Sequence, residues 1–194
     1  ALSWMQKAID IIRREVPDLP LTFSTQMGGE GSNASFCDFW EPHIWMAGGE
    51  FYERMGYSFE HRFDYSEYER VQSHAENLYR DDPKYWQGKL EASIQTMAAH
   101  ARTHGKPLMT TECWGIVDYK DGPLLDWGWV KELCAHGVEV SSATVCWIAN
   151  ATSNFCGPQF VGMWRDVEWH QRLTRLIRNS SLLVPVPETL GKRM

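Results

Sequence analysis

One acid is set apart by its surroundings. Lys106 to Gly115 reads KPLMTTECWG: an apolar run, Leu108 to Thr111, opened by Pro107 and followed by Glu112, Cys113, Trp114 and Gly115. A short apolar run between turn signals has the form of a buried strand. In α/β folds, and above all in (β/α)8 barrels, the carboxyl ends of strands form the functional face. A carboxylate there suits nucleophilic or acid–base chemistry; the alternative is a Glu that begins an exposed loop. FCDFWEPHIW, Phe36 to Trp45, carries Glu41, His43 and Trp45 around its carboxyl end. Pro42 cannot donate a ladder hydrogen bond, which predicts that the regular strand stops near Trp40. Ser142 to Ile148, SATVCWI, is a further strand, and Asn150 follows it. Cys113 with His43 as its base is a rival thiol chemistry, but adjacent strand residues point to opposite faces, away from the side that Glu112 occupies.

The elements that must hold these residues are legible as patterns. Apolar side chains at Trp4, Met5, Ala8, Ile9, Ile12 and Val16 predict an amphipathic helix over 3–16, with Ser3 and Gln6 as a capping box and Pro17 and Pro20 ending it. Leu21 to Ser24 is a short strand, and Gln26 to Ser35 is a Gly-rich loop. The excursion from Met46 to Asp82, with a helix near Tyr65 to Tyr79, has the length of a lid or cleft wall. Asp82 and Pro83 start a helix whose stripe is Trp86, Leu90, Ile94, Met97 and Ala101 and whose left-handed cap is Gly105. A helix from about Leu124 to His136, closed by Gly137, and one from Asp166 to Leu183, with Leu173, Leu176 and Ile177 inward, complete the set; the tail after Pro185 is extended. Strands separated by helices imply parallel pairing.

Composition narrows the function. The chain has 194 residues, enough for one compact unit, and 19 Lys and Arg against 25 Asp and Glu, a net charge of -6. Without a basic run, nucleic acid is excluded as the expected partner. Some of the ten Trp must fill the core, and a structural role is the first reading for any one of them, but such an excess also suits the apolar faces of sugar rings. The five Cys, Cys37, Cys113, Cys134, Cys146 and Cys156, are odd in number and lack CxxC spacing, arguing against a disulfide framework or structural zinc and leaning towards the cytoplasm. No membrane-spanning run, leader, HExxH, phosphate-binding loop or GxSxG elbow is present, so neither membrane, metal nor cofactor is expected. Because the first residues already read as helix, sequence upstream of residue 1 is expected.

Together FCDFWEPHIW, KPLMTTECWG and SATVCWIAN resemble the sixth, seventh and eighth strands of retaining (β/α)8 glycoside hydrolases of clan A, the group of cellulases and mannanases. Ile12 to Thr25 resembles the helix and fifth strand before them. In that group the seventh strand ends in a nucleophilic Glu within a P-hydrophobic-hydrophobic-x-E-aromatic-G pattern, matched by Pro107 to Gly115 with one inserted residue. The His-x-aromatic pattern of the sixth strand is matched by His43 and Trp45, and the Trp beneath the sugar by Trp147. The resemblance implies a half-barrel, strands 5 to 8, over residues 1–194. It implies retaining hydrolysis of β-linked glycans or glycosides, with Glu112 as nucleophile, His43 beside it, and Trp147, then Trp45, Trp114, Trp40 and Asn150, as sugar contacts. The family's acid/base Glu follows an Asn at the end of the fourth strand and would lie before residue 1. Trp40-Glu41-Pro42 imitates that motif, but the roughly 70 residues from Glu41 to Glu112 do not hold the units required between the two acids. A complete barrel of about 250 residues would need an amino-terminal half or a second copy of this chain. The alternative is a non-catalytic carbohydrate-binding or assembly half-barrel.

Overall fold

In a computed structural model of the chain, residues 2–24, 34–46, 48–116, 126–152 and 165–186 are described. They form a mixed α/β fold of short parallel strands and helices. In chain order the elements are α1 (Leu2–Glu15), β1 (Ile44–Trp45), α2 (Gly49–Met55), α3 (Tyr65–Asp81), α4 (Pro83–His104), β2 (Leu108–Thr110), β3 (Cys113–Trp114), α5 (Gly128–Ala143), β4 (Trp147–Asn150) and α6 (Val167–Arg178). Most of the Gln26–Ser35 loop and of the segment from Ile116 to Pro123, the start of a helix at Leu124, and Cys156 fall outside the described residues.

All pairings are parallel. Ile44 and Trp45 lie opposite Cys113 and Trp114; Leu108, Met109 and Thr110 lie opposite Trp147, Ala149 and Asn150, with a register shift between Leu108 and Met109. Single bridges join Ser24 to Glu41 and Trp40 to Leu108. Four extended segments are therefore neighbours in the order in which they occur in the chain. Their carboxyl ends lie on one side, as parallel pairing requires.

The strands are shorter than expected and broken where the polar residues sit. The regular part of the second segment lies after Pro42, at Ile44–Trp45, and only an isolated bridge marks Trp40. Leu21 to Ser24 likewise contributes a bridge instead of a strand. Ser142 is still helical, and the last strand is Trp147–Asn150, so Trp147 opens that strand instead of closing it.

The helices follow their local signals more closely. Asp82 accepts from the Tyr85 amide at 3.0 Å and Gly105 takes the left-handed conformation, φ 60°, at which a side chain would be strained. Between them Trp86, Leu90, Ile94, Met97 and Ala101 are all buried; each large side chain among them contributes about 1.5–3 kcal/mol on leaving water. Gly137 does not close a helix. It sits inside α5, where a Cβ would come within 2.5 Å of Trp114 Cγ, so its lack of a side chain lets α5 lie against β3. The seven-residue α2 was hidden in the excursion. Its Phe51 packs edge-on against Trp86, ring centroids 4.9 Å apart, anchoring the excursion to the start of α4.

Two helix faces depart from expectation. On α1 only Ile9 is buried, while Trp4 is 66% and Ile11 60% exposed, and Ile12 and Val16 also face outwards. Met5 and Ala8 are half-buried and the Trp4 ring lies 5.8 Å from that of Phe23, so the stripe is only partly covered. Because the helix begins at Leu2, Ser3 is inside it and not its cap. On α6 Leu173 is buried but Leu176 is exposed; Asp166 caps the helix by accepting from the Trp169 amide at 3.0 Å.

Candidate functional site

Pro42 breaks the ladder between the second and third segments, and the gap it leaves is filled by side chains. Thr110 Oγ1 donates to the Pro42 carbonyl at 2.7 Å. The Thr111 amide and hydroxyl both donate to Glu41 Oε1, at 3.0 and 2.6 Å. β2 therefore ends at Thr110, the chain bends through Thr111 and Glu112, and pairing resumes at Cys113. Glu112 stands at that bend, with its side chain 32% exposed.

His43 connects the two acids. Its Nε2 lies 3.0 Å from Glu41 Oε2 and 2.6 Å from Ser24 Oγ, and its Nδ1 lies 3.4 Å from Glu112 Oε2. Ser24 Oγ also reaches Glu41 Oε2 at 2.6 Å. The ends of three consecutive segments thus contribute Ser24, then Glu41 and His43, then Thr111 and Glu112. Glu41 is enclosed, its side chain 6% exposed; three hydrogen bonds end on its two oxygens, and His43 Nε2 lies 3.0 Å from Oε2. Both oxygens of this acceptor are thus engaged. An enclosed, engaged carboxylate is less open to a reacting molecule than Glu112.

The sequence-predicted residues are dispersed by this geometry. Glu112 and His43 come together. Trp45, in β1 two residues beyond His43, is half-buried. Trp114 and Trp40 are fully buried: Trp114 packs on Gly137 and donates to the Ala151 carbonyl at 3.0 Å, and Trp40 stacks on His100 with centroids 5.0 Å apart. Trp147 lies opposite Leu108, at the far end of β2 from Glu112; it is buried, with its ring 6.3 Å from that of Trp114. Asn150 turns to α5 and donates to Ser141 Oγ at 2.5 Å. Cys113 is buried behind the strand. Ser24 and Thr111 were not singled out by sequence, and Glu41 was placed at the carboxyl end of its segment but given no role; the signal available was that each of the three segments ends in a polar side chain. Among the described residues no group of three or more His, Cys, Asp and Glu is arranged to hold a metal ion, and no helix is long and apolar enough to cross a membrane.

An α/β protein with an acid–histidine pair at the carboxyl ends of parallel strands is the class that these features define. Comparison with known families sharpens it. The chain belongs to the cellulase-like family described as sugar-binding cellulase-like, whose profile matches residues 1–178. Among solved structures it is similar to a protein described as a putative glycoside hydrolase from Parabacteroides distasonis ATCC 8503, with 47% sequence identity and a TM-score of 0.85. That match covers 100% of this chain and 51% of the other, so the chain spans about half the length of that protein. No protein of curated function matches significantly. Family and neighbour together give the chain a carbohydrate-related function.

Proposed function

We propose that this chain is the carboxyl-terminal half of a retaining (β/α)8 glycoside hydrolase acting on β-linked glycans or glycosides, with Glu112 as its nucleophile. The observation that carries this reading is the partly open Glu112 carboxylate at the carboxyl end of parallel strands, with His43 Nδ1 3.4 Å away. In the reaction Glu112 attacks the anomeric carbon as the glycosidic C–O bond breaks. A second carboxylic acid about 5 Å from it protonates the leaving oxygen. Water then adds to the anomeric carbon, gives its proton to that second group, and frees Glu112. Glu41 does not fill the second role, because both its oxygens are engaged by Ser24 and Thr111 and its side chain is enclosed. The acid/base is assigned to sequence upstream of residue 1. The half-exposed Trp45 is the aromatic surface best placed for a sugar face. The exposed apolar residues of α1, Ile11, Ile12 and Val16, are where an amino-terminal half, or a second copy, would dock. Turnover of an aryl β-glycoside panel by the protein with its upstream sequence, abolished in Glu112→Gln, is the expected result; unchanged turnover would refute the assignment.

The family description favours a second reading, sugar binding without hydrolysis. It predicts oligosaccharide affinity that Glu112→Gln leaves intact, with no turnover by the protein at any length.

A further inference from the structure

We propose that Glu41 is a positioning residue that holds the ring proton of His43 on Nε2 and so leaves Nδ1 on the side of Glu112, with Ser24, Glu41 and His43 forming one polar cluster beside that carboxylate. This rests on the reading of Glu112 as the reacting carboxylate. Glu41 Oε1 is occupied by the amide and hydroxyl of Thr111. Only Oε2 remains for the imidazole, and Ser24 Oγ, 2.6 Å away, donates its single hydrogen to the same oxygen. His43 Nε2 therefore meets a carboxylate oxygen at 3.0 Å and a hydroxyl oxygen at 2.6 Å whose hydrogen points elsewhere. An unprotonated Nε2 would confront lone pairs on both sides. Nε2 must carry a proton.

The consequence falls on the other side of the ring. With Nε2–H engaged, Nδ1 is the nitrogen through which His43 acts on the site, 3.4 Å from Glu112 Oε2. A proton on Nδ1 is donated to the Glu112 carboxylate; a bare Nδ1 accepts from a substrate hydroxyl. Without Glu41 the ring is free to present an Nδ1–H and a bare Nε2, or to turn. The arrangement also explains why a carboxylate is buried here when an amide would satisfy the Thr111 donors equally well. A Gln at this position keeps an oxygen for Thr111 but turns an N–H donor towards Nε2 and Ser24.

The test reads the imidazole directly. In the full-length protein labelled with 15N-histidine, two-bond nitrogen–proton correlations report the protonation of each ring nitrogen, and the His43 signals are identified by their loss in His43→Gln. The wild type shows a protonated Nε2. Glu41→Gln moves that proton from Nε2 to Nδ1 and lowers kcat by about tenfold or more with KM little changed, as expected of a histidine held in the wrong tautomer. Ser24→Ala keeps the wild-type tautomer, because Glu41 Oε2 alone requires it. A bare Nε2 in the wild type, or a Glu41→Gln protein with the wild-type nitrogen pattern, overturns the proposal. The nitrogen pattern needs no turnover. If the tautomer inverts but Glu112→Gln retains activity, the positioning role of Glu41 stands and the nucleophile assignment falls.

Discussion

Gly137→Ala tests whether α5 holds the strand beyond Glu112 in place. An added Cβ would lie 2.5, 2.6 and 2.8 Å from Trp114 Cγ, Cδ2 and Cβ, where carbon atoms rest at about 3.5–4.0 Å. Trp114 or the helix must shift by about 1 Å to accept it. The ring is fully buried and its Nε1 donates to the Ala151 carbonyl at 3.0 Å, so it cannot move without breaking that bond. Overpacking costs about 1–3 kcal/mol, losing the hydrogen bond about 1 kcal/mol, and Ala returns about 1 kcal/mol of helix propensity. The net expectation is a loss of about 1–3 kcal/mol, or about 2–12 °C in thermal midpoint for a chain of this size. Because Trp114 lies two residues after Glu112, sugar affinity falls with stability. Thermal unfolding followed by near-ultraviolet circular dichroism measures the first effect and calorimetric titration with oligosaccharide the second. A Gly137→Ala protein as stable as wild type would refute the close approach. So would an undiminished penalty in Trp114→Leu, where the clash is removed and Ala at 137 should be neutral or favourable.

Three further expectations can be checked on the same protein. Glu50 receives Lys89 at 2.7 Å, Tyr85 OH at 2.6 Å and Arg54 at 2.6 Å, and chiefly the Lys89 contact holds its carboxyl down from 4.5 to about 2. Its contribution is therefore complete above pH 4.5 and is lost as pH falls towards 2; Glu50→Gln should flatten that part of an acid-unfolding curve, and an unaltered curve would contradict it. Val145 has φ 58°, a left-handed conformation that costs a β-branched residue about 1–2 kcal/mol, so Val145→Gly should be neutral or stabilising by up to about 1 kcal/mol in urea unfolding. Replacing Trp4 and Ile12, both exposed on α1, by Ser should leave the melting temperature of this chain within about 2 °C while reducing association seen in sedimentation; a large drop in melting temperature would mean that the stripe is already packed.

What was legible in the sequence was what depends on near neighbours. The Asp82–Pro83 start and the Gly105 end of α4 are one-turn signals, and the stripe between them is dense enough that nothing competes with it. His43 and Glu112 do come within 3.4 Å of each other, although the last strand begins at Trp147 and not at Ser142. Details requiring a partner were not legible. Gly137 reads as a stop in sequence, but its reason for being Gly is a Trp ring twenty-three positions away. Pro42 does interrupt pairing, yet the pairing resumes beyond it because Glu41 and Thr110 bridge the gap, and no local pattern announces that. Trp content suggested several sugar platforms; Trp40 and Trp114 are instead buried, one stacked on His100 and the other packed on Gly137. The α1 stripe was read as the apolar face of an amphipathic helix, and periodicity reports which face is apolar, not whether a neighbour covers it.

The central claim is that Glu112 becomes covalently bonded to sugar. A 2-deoxy-2-fluoro β-glycoside with a good leaving group traps a glycosyl-enzyme, since the fluorine slows hydrolysis of the ester more than the leaving group slows its formation. Incubated with the protein carrying its upstream sequence and digested, it should add the mass of one fluoroglycosyl unit to the peptide containing Glu112, with loss of activity in proportion. An ester on another carboxylate, or full activity with no adduct and an inverted anomer as first product, would contradict the account.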